Sequence, residues 1–230
     1  MGLIRILALD TSTWWAGVAL VEGDETTGRS ECVAESRVFV RDSHSARLLP
    51  LVDALLTATG WSRESVGAYA AVRGPGSFTG IRIGLGTLRG LAIASGRPCL
   101  GIGTLEAMAE SFGPAGADRI PLLDAGRSEV FGARFDPAGS PPGERTAPWV
   151  GPPERAVEAA SRRCVVFGSG AQLYASRLFA AGLDFEPARA PESIAAAAGR
   201  LAVFRRAGGA TDGEGMSPLY LRPADAEVPR

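Results

Sequence analysis

A short apolar run, residues 4–9, stops at the polar turn Asp10-Thr11-Ser12-Thr13, and a second run, residues 14–21, starts at once. Two such runs around a tight polar turn predict a β-hairpin. Residues 32–40 predict a third strand. The period then changes from two to 3.6. Between 45 and 59, Leu48, Leu49, Val52, Leu55 and Leu56 recur at helical spacing, and Gly60 stops the helix. Pro50 lies inside this segment and should bend it or mark its first turns. Residues 68–72 predict a strand, Gly74-Pro75-Gly76-Ser77 a loop, 79–95 a helix closed by Gly96, and 98–102 a strand. The order β-β-β-α-β-α-β specifies an α/β fold.

The second half begins in the same way. Residues 120–123 end at Asp124-Ala125-Gly126-Arg127, and 129–135 return as a strand. This echo of residues 7–20 implies two related α/β halves. We place an N-terminal domain at 1–104 and a smaller C-terminal α/β domain, with a tail, at 105–230. Within the latter, 138–153 is rich in Pro and Gly and reads as a loop. Residues 164–167 predict a strand, followed by Gly168-Ser169-Gly170 and a helix over 171–181. Residues 187–191 read as a linker, 192–206 as an alanine-rich helix, and 207–230 as a tail.

Composition excludes several chemistries. All 24 basic residues are arginine, so a Walker A clamp, a Schiff base and a protein-kinase site are out. The net charge of −1 gives no basic excess for gripping nucleic acid alone, so any RNA contact should come through another subunit. Cys32, Cys99 and Cys164 are far apart and form no CxxC pair, which argues against a zinc site or disulfide framework. Each is expected to be a small buried apolar residue. No apolar run approaches the roughly 20 residues of a membrane span. The opening MGLIRILALD lacks the features of a signal peptide, so a cytoplasmic location is expected.

Three segments together resemble one family. They are residues 6–13, ending in Asp10-Thr11-Ser12-Thr13; residues 74–84, Gly-Pro-Gly-Ser-Phe-Thr-Gly-Ile-Arg-Ile-Gly; and Pro218-Leu219-Tyr220-Leu221-Arg222. They look like the opening turn, the most characteristic loop and the C-terminal motif of the TsaB family, paralogues of the catalytic TsaD/Kae-type proteins. The resemblance implies two RNase H-like halves of the actin, Hsp70 and sugar-kinase type, each a mixed sheet flanked by helices. It also implies a non-catalytic scaffold or activator required for threonylcarbamoyl transfer to the adenosine beside the tRNA anticodon. Its implied partners are TsaD and TsaE, with a homodimer when alone, and tRNA reached only through the complex. It implies no membrane and no resident cofactor, although a nucleotide can sit at the joint surface with TsaD.

Four features carry the site expectations. Asp10, Thr11, Ser12 and Thr13 can either cradle an anion, as a relic of a phosphate loop, or build a tight turn; we take the turn. Gly74, Pro75, Gly76, Ser77, Thr79 and Gly80 form the family-motif loop. It can receive an anion at a helix N-terminus, or the glycines can serve backbone conformation; again we take the plainer reading. His44 is the only histidine. The catalytic relatives carry HxxxH here, but four residues on stands Leu48, so no metal site is carried over. The two N-terminal helices are the expected partner interface, through Leu48, Leu49, Val52, Leu55, Leu56, Ile81, Gly84, Leu85, Leu88 and Leu91. Glycine inside a helix costs about 1 kcal/mol relative to alanine, so Gly80, Gly84, Gly86 and Gly90 call for close approach by another element. The alternative is a free-standing ATPase or small-molecule kinase, with Asp10 and Asp124 on the metal and Gly168-Ser169-Gly170 on the adenosine. A protease fares worse, because His44 would be its single candidate base.

Overall fold

The computed structural model of the chain describes residues 2–40, 45–160, 164–183, 185, 193–213 and 215–222. His44, the expected linker at 187–191 and the tail beyond 222 lie outside the described residues. Two compact units are present, Met1–Ala107 with Glu192–Leu219 and Met108–Pro191 with Tyr220–Arg230. The expected second domain, 105–230, is therefore corrected: the chain returns to the first unit after 191.

In unit 1, β1 (Leu3–Asp10), β2 (Trp15–Asp24), β3 (Ser30–Phe39), β4 (Ala68–Val72) and β5 (Cys99–Ile102) form one sheet. Its order is β3-β2-β1-β4-β5. The first three strands are antiparallel, while β1, β4 and β5 run parallel. Helices α1 (Ser45–Thr59) and α2 (Phe78–Ser95) cover one face. Leu7 and Leu9 of β1 join Leu48, Val52, Ile81 and Leu88 in that core. The intervening Ala8 looks the other way, as the two-residue period of a strand requires. There it meets α7 (Ala195–Ala207) at Gly199, where a Cβ would run into Val21. The alanine-rich sequence of α7 is thus a close-packing surface, and it holds 192–219 in unit 1. A strand buried on both faces reads as a continuous apolar run, which is why β1 was plain in the sequence.

In unit 2, β6 (Asp118–Gly126), β7 (Glu129–Phe135), β8 (Glu144–Gly151) and β9 (Cys164–Phe167) lie in the order β8-β7-β6-β9. Hairpin, third antiparallel strand and parallel return repeat the plan of unit 1. Residues expected as a loop over 138–153 include β8, an edge strand that tolerates Pro148 because a sheet edge needs no donor there. Three helices were not expected or were misdrawn. α3 (Thr104–Phe112) and α4 (Arg155–Ala159) are new. The helix expected over 171–181 is two pieces, α5 (Ser169–Leu173) and α6 (Ala175–Ala180), broken at Tyr174 with φ −110°.

Arg119 is fully buried in β6. Its guanidinium donates to the carbonyls of Ala109 (3.0 Å), Gly113 (3.1 Å), Asp136 (2.8 Å) and Gly139 (3.2 Å). It ties the C-terminal end of α3 and the loop after β7 to the sheet. Of the cysteines, Cys99 is buried as expected, Cys164 is half-buried, and Cys32 is exposed on the edge strand β3, correcting that expectation. Among the described residues no helix is long and apolar enough to cross a membrane.

Candidate functional site

Helix α2 is held at both ends by local chemistry. The Ser77 hydroxyl accepts from the Gly80 N–H (3.2 Å), an N-cap, and Gly96 takes a left-handed conformation at the C-cap, φ 66°. Most of the residues expected at the interface face inward. Leu48, Val52, Leu55, Leu56, Ile81, Gly84, Leu85 and Leu88 are buried in the core of unit 1. The helical period marked the stripe that packs on the sheet. It did not mark what stays exposed.

What remains is a different face. Leu49 is 44% exposed on α1 and Ile93 is 76% exposed on α2. Leu49, Val52 and Leu56 of α1, Leu91 of α2 and Tyr69 of β4 line one small cleft. Gly86 and Gly90 are exposed on α2, and no atom stands within 4 Å of where their Cβ would be.

The other glycines of this region answer to the turn at the end of β1. A Cβ on Gly80 would overlap the Thr11 carbonyl oxygen, one on Gly84 the Thr11 Oγ1, and one on Gly76 the Ser12 carbonyl oxygen. Thr11 Oγ1 donates to the Gly80 carbonyl (2.7 Å), and the Ser77 N–H donates to the Ser12 carbonyl (2.8 Å). Asp10 Oδ1 accepts from the Ser12 N–H (2.9 Å) and hydroxyl (2.7 Å). Asp10, Thr11 and Ser12 are each 2% exposed or less. Burial drives the Asp10 carboxyl above its ordinary range, against the pull of its bonds to Ser12. The turn is thus a buried keystone that joins β1 to α2, and the Thr11 and Ser12 hydroxyls and the Ser12 N–H all donate within the chain. Close approach to these glycines comes from the chain's own turn.

Asp124 lies in unit 2 and is exposed. Its carboxylate accepts from the Gly126 N–H (3.0 Å) and the Tyr174 hydroxyl (3.2 Å). Cβ atoms on Gly168 or Gly170 would press on the Leu122 carbonyl, so these glycines serve the packing of α5 on β6. The residues proposed for a kinase centre therefore differ in kind: Asp10 is closed to solvent and Asp124 is open to it.

Comparison with known proteins gives one consistent answer. Residues 38–148 match the family model of TsaD, tRNA N6-adenosine threonylcarbamoyltransferase. The chain is 39% identical over 135 residues to the tRNA threonylcarbamoyladenosine biosynthesis protein TsaB of Escherichia coli, covering 57% of this chain and 55% of that one. It is 31% identical over 128 residues to TsaB of Bacillus subtilis, covering 56% and 53%. The structure of YeaZ from Pseudomonas aeruginosa superposes with a TM-score of 0.74 at 30% identity, over 95% of this chain and 100% of that one. The chain belongs to the TsaB/YeaZ family. With the curated TsaB relatives the match spans about half their length. Component A of (R)-2-hydroxyglutaryl-CoA dehydratase from Acidaminococcus fermentans, at TM-score 0.53 and 14% identity, shares the fold alone. TsaB/YeaZ membership and the paired mixed sheets make this the actin/RNase H-like fold expected from the sequence.

Proposed function

We infer that this chain is a non-catalytic scaffold and activator in the formation of threonylcarbamoyladenosine in tRNA. It binds TsaD through the exposed face of α1 and α2, TsaE joins that assembly, and the chain pairs with itself when alone. It works in the cytoplasm and meets tRNA only within the complex. One observation carries this reading: α2 keeps Gly86 and Gly90 on its surface with open space above them, and Leu49 of α1 and Ile93 of α2 are exposed as well. Helical glycines that pack on nothing cost about 1 kcal/mol each relative to alanine, and an exposed isoleucine adds unburied apolar area. A second helix pair laid against this face would use both. The names of the TsaB relatives supply the pathway, and the match to the TsaD family model supports a shared fold between the partners. The buried Asp10 turn favours contact over chemistry and weighs against the kinase alternative.

Two measurements test this. Co-expression with the organism's TsaD homologue should yield a stable complex, and the complex should transfer threonylcarbamoyl to tRNA where neither chain does so alone. Depleting the chain should lower threonylcarbamoyladenosine in bulk tRNA by mass spectrometry; unchanged levels would remove the reading.

A further inference from the structure

The two edges of the unit 1 sheet differ. At the β5 edge, the Asp212 carboxylate accepts from the Cys99 N–H (2.9 Å) and the Gly213 N–H donates to the Cys99 carbonyl (2.9 Å), so the segment after α7 covers that edge. At the other edge lies β3, a strand of 10 residues.

The register names the groups that β3 turns outward. The Val40 N–H donates to the Trp14 carbonyl (2.9 Å), and the ladder continues as Trp15↔Phe39, Ala16↔Val38, Gly17↔Arg37, Val18↔Ser36 and Ala19↔Glu35. Every second pair of an antiparallel ladder is hydrogen-bonded. Val38 and Ser36 therefore bond to β2, while the N–H and C=O groups of Glu35, Arg37 and Phe39 point away from it. Among the described residues, no backbone hydrogen bond ties Glu35 or Phe39 to a segment beyond β3. An edge of this kind is a template for another strand. The bulge that leaves Val33 opposite no residue of β2 ends the straight stretch on its N-terminal side.

In one register β3 is complementary to itself. Glu35, Arg37 and Phe39 share a face, and Val33 and Phe39 are exposed. Glu35 is held in place, because its Oε1 accepts from the Ser193 hydroxyl (2.9 Å) and the Ala196 N–H (3.2 Å). Arg37 is engaged within the chain as well, its guanidinium 5.4 Å from the Trp15 ring centroid. Two copies of β3 laid antiparallel about a two-fold axis at Ser36 set each Glu35 opposite the other copy's Arg37. They also bring each Phe39 to the other copy's Val33. An axis at Glu35 would oppose two carboxylates, one at Arg37 two guanidiniums, and one at Ala34 would set Val33 against Glu35. Opposite charges and apolar pairs stabilise a ladder, and like charges directly opposite destabilise it.

We propose that the β3 edge is a self-association surface that takes β3 of a second copy, antiparallel, with the two-fold axis at Ser36. This rests on the self-pairing inferred above and assigns it to a surface separate from the α1–α2 face. The straight stretch is short, so the dimer should be weak, with a Kd of roughly micromolar or above.

Sedimentation equilibrium of the full chain tests the surface. Arg37→Glu should weaken the dimer about tenfold or more, since two attractive pairs become repulsive. Ile93→Asp, on the α1–α2 face, should leave it unchanged. Cross-linking tests the register. In a Cys32→Ser background, Ser36→Cys should give a disulfide-linked dimer on mild oxidation, because residues facing each other at a non-hydrogen-bonded position stand about 4.5 Å apart, within disulfide reach. Val38→Cys, off the axis, should not. A chain that stays monomeric at every concentration overturns self-pairing and the β3 surface together. A dimer lost in Ile93→Asp and kept in Arg37→Glu leaves self-pairing standing and overturns the β3 surface. A missing Ser36→Cys cross-link, or an equal one in Val38→Cys, also overturns it. Should Arg37→Glu lose its circular dichroism signal, the cross-linking result decides alone.

Discussion

The Thr11 hydroxyl donates to the Gly80 carbonyl over 2.7 Å, and both residues are buried in unit 1. This one bond sets the distance between the β1 turn and the first turn of α2. It also divides the glycines of α2 into two classes with opposite responses to substitution.

Gly80→Ala should destabilise the chain by about 1–3 kcal/mol, because the new methyl meets the Thr11 backbone and neither can yield. Gly84→Ala should do the same against the Thr11 side chain. Gly86→Ala and Gly90→Ala should instead raise stability by up to about 1 kcal/mol each, since nothing stands in their way. Thermal and urea unfolding of the four variants separates the classes. A loss of stability in Gly86→Ala would mean that its surface is already covered within the chain.

The face proposed for TsaD makes a matching prediction. Ile93→Asp and Leu49→Asp should leave unfolding within about 0.5 kcal/mol of wild type while abolishing co-purification with TsaD. Leu88→Asp should fail to fold, because Leu88 is fully buried in the core. Loss of TsaD binding in Leu88→Asp therefore reports nothing about the interface. Normal complex yield with both surface variants would remove the α1–α2 face from the assembly.

The strands of unit 1 were legible because β1, β2 and β4 are apolar on both faces. The repeat in unit 2 was legible because Asp124 ends β6 in a polar turn, as Asp10 ends β1. β8 was not, since Glu144–Gly151 is an edge strand of mixed polarity with a proline. Arg119 was opaque for a related reason: a charged residue at the start of an apolar run reads as the boundary of a strand, and only three-dimensional packing brings four carbonyls to it. Most of the residues expected at the partner interface are buried in the core of unit 1. Apolar periodicity locates the core-facing stripe, so it selected Leu48, Leu85 and Leu88. The glycines off that stripe, Gly86 and Gly90, are the ones that stay exposed.

Asp10 predicts a pH dependence. Its folded pKa is raised above the ordinary value of 3.8 by burial. The native state therefore holds a proton that the unfolded state releases more easily. Stability linked to Asp10 is full below the unfolded pKa and is lost as pH rises through the folded one. Between about pH 4 and that higher value, ΔG of unfolding should fall with rising pH, and the slope should be absent in Asp10→Asn. Urea denaturation across this range measures it. Equal slopes in both proteins would mean that Asp10 titrates normally.

Arg119→Met tests the buried staple of unit 2. Methionine fills part of the volume but leaves the carbonyls of Ala109, Gly113, Asp136 and Gly139 without their donor. Each stranded acceptor costs on the order of 1 kcal/mol or more, so the variant should lose roughly 3 kcal/mol. Arg119→Lys should not rescue it, since one ammonium cannot span four acceptors set around a planar fork. Because all these contacts lie within unit 2, amide exchange should accelerate in β6 and α3 beyond Met108, while β1 and β2 keep their protection. Uniform loss of protection across both units would show that they unfold as one, and would assign the Arg119 contribution to the whole chain.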